Sequence, residues 1–280
     1  MKTLSNHRAG PSAGAEFNIE SIVHDSRQLP HRIVLHALQK WGKTSFAAHA
    51  PQPIFLMTRA EDGLLTLMAS GQVGKVPHFP KTADSWTEFK LALSNLVVHD
   101  HPHKTLVVDT FNGAERLCHE FVCQNSCEGS WEKFDAFARG PKIAVAELTE
   151  LLILFERLRA RGMAIILLSH SQVRTFQNPD GPDYDRWEMT IAKETRAIIV
   201  RWADMVLFGA FETFAEKESK SAAKGKATGG QTRLIMTERH AAYDAGNRWG
   251  LPEEIECGGS AAEAWSNFIT AIKAAKGASQ

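Results

Sequence analysis

The residues of this chain best suited to chemistry are Gly42-Lys43-Thr44-Ser45, which follow the apolar, partly β-branched run Arg32-Ile-Val-Leu-His-Ala37 and precede a helix-forming segment. A strand, a glycine, a lysine and a hydroxyl in that order read as a phosphate-binding loop. Gly42 lets the backbone close on phosphate oxygens, and Lys43 reaches the β- and γ-phosphates. Thr44 offers its hydroxyl to Mg²⁺, and the helix behind it points its positive end at the same anion. The first glycine of the G-x-x-x-x-G-K-[ST] pattern falls at Ala37, and Leu38-Gln39-Lys40-Trp41 is bulky and glycine-free. The expected phosphate cradle is therefore Ala37, Lys40, Trp41, Gly42, Lys43, Thr44 and Ser45, and its ligand a nucleoside triphosphate with Mg²⁺. A Cβ at position 37 would cost energy wherever φ had to be positive.

Phosphoryl transfer also needs a carboxylate for the metal and a group that orients water. The run Thr105-Leu-Val-Val-Asp109 has the form of a buried parallel strand that brings Asp109 to the Mg²⁺ shell alongside Thr44. The same residues would also serve as a core strand ending in a helix-capping Asp. Met163–Leu168 is a further apolar strand, followed by Ser169-His170-Ser171-Gln172. That order sets His170 at the carboxyl edge of the sheet, either as a γ-phosphate sensor or as a turn residue. Pro53–Thr58 is a strand followed by Arg59-Ala60-Glu61-Asp62-Gly63. Glu61 is there either as the group that activates the attacking water or as a solvated turn carboxylate.

The elements that must position these groups alternate along the chain. Strands near 32–37, 53–58, 104–109, 163–168 and 204–209 are separated by helices near 43–49, 85–99, 111–124, 142–161 and 190–202. This alternation predicts an α/β fold with a mostly parallel sheet flanked by helices. In the 142–161 helix, Ile143, Leu148, Leu151, Leu152, Phe155 and Leu158 form an apolar stripe at helical spacing. A Gly- and Pro-rich loop is expected over Gly71, Gly74, Pro77 and Pro80. Residues 1–17 read as a disordered tail, and 18–280 as one domain.

Composition narrows the partners. The chain has 280 residues, 44% hydrophobic and 23% charged, with 32 basic residues balanced by 32 acidic ones. It has no global basic field, so contact with nucleic acid must come from local patches. No apolar run is long enough to span a bilayer and no apolar signal core opens the sequence, so the expected setting is the cytoplasm, without membrane contact. Cys118, Cys123, Cys127 and Cys257 form no C-x-x-C pair and read as reduced thiols or, less simply, part of a metal site. The alternating His99, His101 and His103 read as a metal-chelating trio or a polar loop.

Two segments are candidate contact surfaces. Residues 171–189, read as a loop, combine Arg174 and Arg186 with Phe176 and Trp187, the mixture of cations and aromatics that holds single strands. The same loop carries Asp180, Asp183, Asp185 and Glu188, as an ordinary ordered loop would. Residues 215–230 form a flexible basic loop with Lys217, Lys220, Lys224 and Lys226.

The order of these features resembles the RecA-like P-loop ATPases carried by phages and prophages, which are related to RecA-like single-strand annealing proteins. The resemblance spans about Ile33 to Ile255. It rests on the phosphate loop, Glu61-Asp62-Gly63-Leu64, Ser85-Trp86-Thr87-Glu88-Phe89, Thr105–Asp109, Leu168-Ser169-His170-Ser171, Trp202-Ala203-Asp204 and Asn247-Arg248-Trp249-Gly250-Leu251-Pro252. It implies a RecA-like core, ATP with Mg²⁺ as the bound cofactors, ATP hydrolysis with Glu61 as base and Lys43 and His170 beside it, and a setting in phage DNA recombination, annealing or replication inside a bacterial host. It further implies self-association into a ring or filament, with Lys193 or Arg248 acting in trans on a neighbour. The implied partners are single-stranded DNA, reached through 171–189, and a single-stranded DNA-binding protein. Gly246 stands where the family tends to have a lysine. A non-hydrolysing, nucleotide-gated DNA-binding or annealing module and a hexameric helicase-type motor are the alternatives on the same core.

Overall fold

The computed structural model describes Ile19, Ile22, His24, residues 29–216 and residues 226–277. The tail expected over 1–17 and the centre of the basic segment, 217–225, lie outside the described residues.

The strands are β1 (Arg32–Ala37), β2 (Pro53–Met57), β3 (Thr105–Asp109), β4 (Ala164–Phe176), β5 (Tyr184–Met189), β6 (Met205–Glu216), β7 (Lys226–Met236), β8 (Gly246–Asn247) and β9 (Glu254–Glu256). They form a sheet in the order β2-β3-β4-β1-β6-β7-β9, with β5 paired to β4 and β8 to β6. The pairings among β1, β2, β3, β4 and β6 are parallel, and those of β5, β7, β8 and β9 are antiparallel. The helices are α1 (Lys43–Ala47), α2 (Gly63–Ala69), α3 (Trp86–Val98), α4 (Phe111–Ser126), α5 (Trp131–Asp135), α6 (Arg139–Ala160), α7 (Lys193–Trp202) and α8 (Ala261–Gly277). This is the expected α/β architecture: a mostly parallel sheet flanked by helices.

Both faces of the sheet are covered, which is why its parallel strands read as continuous apolar runs. Successive residues of a strand point to opposite faces. In β4, Ile165 and Leu167 join a core with α3, α4 and α6, whereas Ile166 and Leu168 join a second core with α1 and α8. The α6 stripe buries Ala144, Leu148, Leu151, Phe155 and Leu158 at spacings of three and four against the first core. Burial of each large apolar side chain of this kind contributes about 1.5–3 kcal/mol. Helix starts follow local chemistry: Ser85 Oγ accepts from the Glu88 amide at 3.2 Å to cap α3, and Thr110 Oγ1 accepts from the Gly113 amide at 3.3 Å to cap α4.

Several expectations are corrected. The 171–189 segment is a β-hairpin, not a loop: β4 runs on through Phe176 and pairs antiparallel with β5 from Ser171↔Met189 to Phe176↔Tyr184. The Gly- and Pro-rich loop over Gly71, Gly74, Pro77 and Pro80 is present as expected; it follows α2 and lies along the edge of β2, with the Phe55 amide donating to Pro77 O at 3.0 Å and the Ala83 amide to Met57 O at 2.8 Å. The ends of the 215–230 segment belong to strands β6 and β7, which pair from Glu216↔Lys226 to Phe208↔Met236. Among the described residues no group of three or more His, Cys, Asp or Glu side chains could hold a metal ion, and the four cysteines are buried free thiols. In the histidine trio, His99 Nδ1 and His101 Nε2 are engaged by the carbonyls of Asn95 and Leu96. No described helix is long and apolar enough to cross a membrane.

Candidate nucleotide site

Three neighbouring parallel strands deliver the site to one edge of the sheet. The strand β4 lies between β1 and β3, so the loop after β1, Asp109 at the end of β3 and His170 of β4 sit side by side. The next strand out, β2, leads after a short turn to Glu61. Ligands of open α/β sheets bind at this carboxyl edge. Here Gln39, Lys43, Thr44, Glu61, Asp109 and His170 line one cavity of about 620 Å³.

The phosphate loop solves its departure from the common pattern locally. Ala37 ends β1, is fully buried and pairs with His170 and Gly209. The positive φ values fall instead on Lys40 (62°) and Gly42 (110°). The cost anticipated for a Cβ at position 37 is therefore absent. Trp41 folds under the loop, buried against the sheet, and its Nε1 donates to Ala210 O at 2.9 Å. Room for both side chains comes from Gly209: a Cβ there would lie 2.7 Å from the Ala37 methyl and from the Trp41 ring. Ala37 and Trp41 thus shape the loop from below, while Lys40, Gly42, Lys43, Thr44 and Ser45 line the cavity itself.

Within the loop Lys43 is buried, and its Nζ donates to the carbonyls of Ala37 and Leu38, each at 3.0 Å. An ammonium has three donors, so one remains for a ligand. Burial lowers the Lys43 pKa to about 8, against the pull of Asp109 and then Glu61. Thr44 Oγ1 donates to Asp109 Oδ2 at 2.8 Å. Asp109 is only 4% exposed, and burial pushes its pKa up to about 6 although the Thr44 hydrogen bond favours the charged form. Beyond it, Glu61 Oε1 lies 2.9 Å from His170 Nε2 and accepts from Thr110 Oγ1 at 3.4 Å. The His170 contact, first among the influences on Glu61, holds its carboxyl below the usual range, so it is ionised at neutral pH.

The residues present fit Mg²⁺. A buried carboxylate with a raised pKa next to a hydroxyl is a pair of hard oxygens short of positive charge. Mg²⁺ takes one or two protein ligands of this kind and completes its shell with water and phosphate. This arrangement has a measurable cost. Asp109 has a folded pKa near 6 against about 3.9 in an unfolded chain, so the folded state holds the proton more tightly, and stability falls as pH rises from about 4 to about 6. Asp109→Asn is expected to stabilise the nucleotide-free protein by about 2–3 kcal/mol at neutral pH, with the gain shrinking toward pH 4. Thermal melts at pH 7.5 and 4.5 check this; a variant less stable than the parent at pH 7.5 would contradict it.

Other residues stand apart from the cavity. Arg248 donates from Nη2 to Arg201 O at 2.7 Å, and its amide donates to Asp204 O at 3.0 Å. The Asp204 amide in turn donates to Arg32 O at the start of β1, so Arg248 and Gly246 lie at the far end of the sheet from the phosphate loop. Lys193 opens α7 just beyond the hairpin. Two of the side chains expected to face DNA are taken into the fold. The Arg186 guanidinium is buried, with Nη2 3.1 Å from Asp244 Oδ1 and Nε 3.4 Å from Glu188 Oε1. Trp187 stacks on Phe208, and its backbone pairs with Ala242 and Asp244. Phe176 lies under the Arg186 guanidinium, and Arg174 is half-buried on the same hairpin.

Three contributors escape sequence reasoning. Asn112 accepts from the His170 amide at 2.8 Å and donates to Thr190 O, while the Thr190 amide donates to His170 O at 2.8 Å, closing the base of the hairpin. Thr110 supports Glu61. Arg233 on β7 reaches the cavity from across the sheet. Thr110 follows directly on Asp109 and Asn112 lies three residues after it, so both could have been found there; Arg233 is an isolated residue in a polar stretch and carries no local signal.

Residues 29–249 match the family described as AAA domain. No curated protein matches the chain. Among solved structures, the flagellar accessory protein FlaH from Methanocaldococcus jannaschii is similar at 12% identity, over 81% of this chain and 85% of that one, with a TM-score of 0.39. With the family match extending over most of its length, the chain belongs to the AAA domain family of P-loop nucleotide-binding ATPases.

Proposed function

We propose that the protein binds ATP with Mg²⁺, hydrolyses it, and uses the cycle to assemble on single-stranded DNA in recombination, annealing or replication of a phage or prophage. The observation that carries the hydrolytic part is the convergence of Lys43, Thr44, Asp109, Glu61 and His170 on one cavity. Lys43 and the loop amides would hold the β- and γ-phosphates, and Thr44 and Asp109 would hold Mg²⁺. When bound, the metal neutralises charge on the phosphates. Glu61, ionised and fixed between His170 and Thr110, accepts hydrogen from the attacking water and aligns it. His170 orients Glu61 and faces the γ-phosphate end of the cavity.

The DNA part is supported by connectivity. His170 and the hairpin share β4, and Asn112, which follows the Asp109 strand, ties the hairpin base to His170. A change at the γ-phosphate therefore has a short route to residues 171–189. With Arg186 neutralised internally, Arg174 is the hairpin cation left to meet a phosphate backbone. Self-association, with Arg248 or Lys193 reaching a neighbour's site, and a single-stranded DNA-binding protein as companion, belong to the same proposal.

Fluorescence anisotropy of a labelled oligothymidylate tests it. Binding at low salt should be stronger with a non-hydrolysable ATP analogue than with ADP, should weaken steeply as salt rises, and should fall several-fold in Arg174→Ala. Absence of binding at low salt with either nucleotide would remove the DNA assignment while leaving the ATPase reading standing.

A further inference from the structure

The nucleotide cavity continues past the phosphate loop into a second recess of about 280 Å³, between α1 and the turn that starts α8. Trp41, Phe46 and the Cys257–Ala261 segment form its walls. Gly42, Ser45, Gln72 and Arg233 line both spaces and so mark the passage between them. The turn is held open by glycine: Gly258 has φ +68°, and a Cβ there would lie 2.2 Å from the Glu263 carboxyl carbon. The recess is of a size and apolarity to take a nucleoside.

Arg233 stands at the passage. It pairs with Phe211 across the β6–β7 hairpin, and its guanidinium rides on that ring, 5.7 Å from the centroid. Its carbonyl accepts from the Cys257 amide at 2.9 Å, which fixes this part of β7 to the recess wall. Among the described residues the guanidinium enters no ion pair. Lys40 and Lys43 belong to the phosphate loop after β1, and Glu61, Asp109 and His170 come from the β2–β4 side of β1, whereas Arg233 comes from the β7 side.

Resting on the nucleotide reading above, we propose that Arg233 clamps the α-phosphate of the bound nucleotide where the phosphate chain turns from the Lys43 loop into the nucleoside recess. A planar guanidinium held against an aromatic face is preorganised to meet phosphate oxygens in pairs. The phosphate it meets is shared by ATP and ADP, since the γ-phosphate end lies on the Glu61 side of β1. Arg233 is on this account a binding residue that positions the nucleotide and takes no part in the chemical step.

Equilibrium titration with fluorescent ATP and fluorescent ADP tests this on the full chain, its Arg233→Ala and Arg233→Lys forms and a Lys43→Ala control. Arg233→Ala should weaken both nucleotides by the same factor, about 10- to 100-fold, as expected for loss of a charge-assisted contact. Arg233→Lys should recover part of the loss, and in steady-state hydrolysis the effect should appear in KM. Unchanged ADP affinity in Arg233→Ala, or a loss confined to ATP, would overturn the clamp while Lys43→Ala still lowered affinity. Failure of the unaltered chain to bind either nucleotide would overturn the nucleotide reading on which the clamp rests.

Discussion

Glu61→Gln is expected to lower the turnover number for ATP by about 10²- to 10⁴-fold, the range for loss of a positioned acid–base group, while leaving the dissociation constants for ATP and ADP within a few-fold of the parent. The substitution keeps the size and hydrogen-bonding reach of the side chain, so the contacts to His170 Nε2 at 2.9 Å and to Thr110 Oγ1 can be retained. What it removes is the negative charge that, in the proposed reaction, accepts a proton from water. Because the His170 contact holds the Glu61 pKa below the ordinary carboxylate range, protonation of Glu61 should not limit activity near neutrality. The acid limb of kcat/KM should instead follow Asp109, titrating near pH 6 in the free protein, since its protonated form is a poor partner for Mg²⁺. Single-turnover hydrolysis with parallel nucleotide binding measures the effect. A Glu61→Gln protein that hydrolyses ATP at the parental rate would remove Glu61 from the chemistry.

The parts of this site that could be read from the sequence are those whose physics is local. Strands buried on both faces must be apolar throughout, so β1, β2, β3 and the first half of β4 stand out as short β-branched runs, and each polar residue after such a run lands at the same edge of the sheet. Gly42, Lys43 and Thr44 announce themselves by type and spacing. Elements partnered through distant or polar contacts did not. The second half of β4 and all of β5 alternate polar and apolar residues among acids and prolines, and their pairing is set by a hairpin that resembles a loop in composition. Arg186 reads as a DNA-facing cation because its neutralising partner, Asp244, is far along the chain and meets it only in the folded sheet. The strain expected at Ala37 was misplaced for a similar reason: the loop takes its positive φ at Lys40 and Gly42, and the space for Ala37 and Trp41 is supplied by Gly209 on β6. Such compensation across strands has no signature in any single segment.

Lys43→Ala bears on the whole account. The ammonium is buried inside the loop, held by the carbonyls of Ala37 and Leu38 and drawn by Asp109 and Glu61, where the proposed function puts the β- and γ-phosphates. A preorganised charge of this kind, aimed at a transferring phosphoryl group in a site shielded from water, is worth about 10²- to 10³-fold in rate, with a further loss in affinity for the phosphate chain. The fold itself should tolerate the change, because burial disfavours the charged lysine in the absence of ligand, as its lowered pKa records. The direct test is steady-state ATP hydrolysis by the parent chain and by Lys43→Ala, each with and without single-stranded DNA, at low and moderate salt. The account predicts turnover that DNA stimulates in the parent and that falls by at least about two orders of magnitude in Lys43→Ala. Parental turnover undiminished in Lys43→Ala, or nucleotide binding without hydrolysis in the parent, would contradict it, the latter leaving a nucleotide-held module with no ATPase cycle.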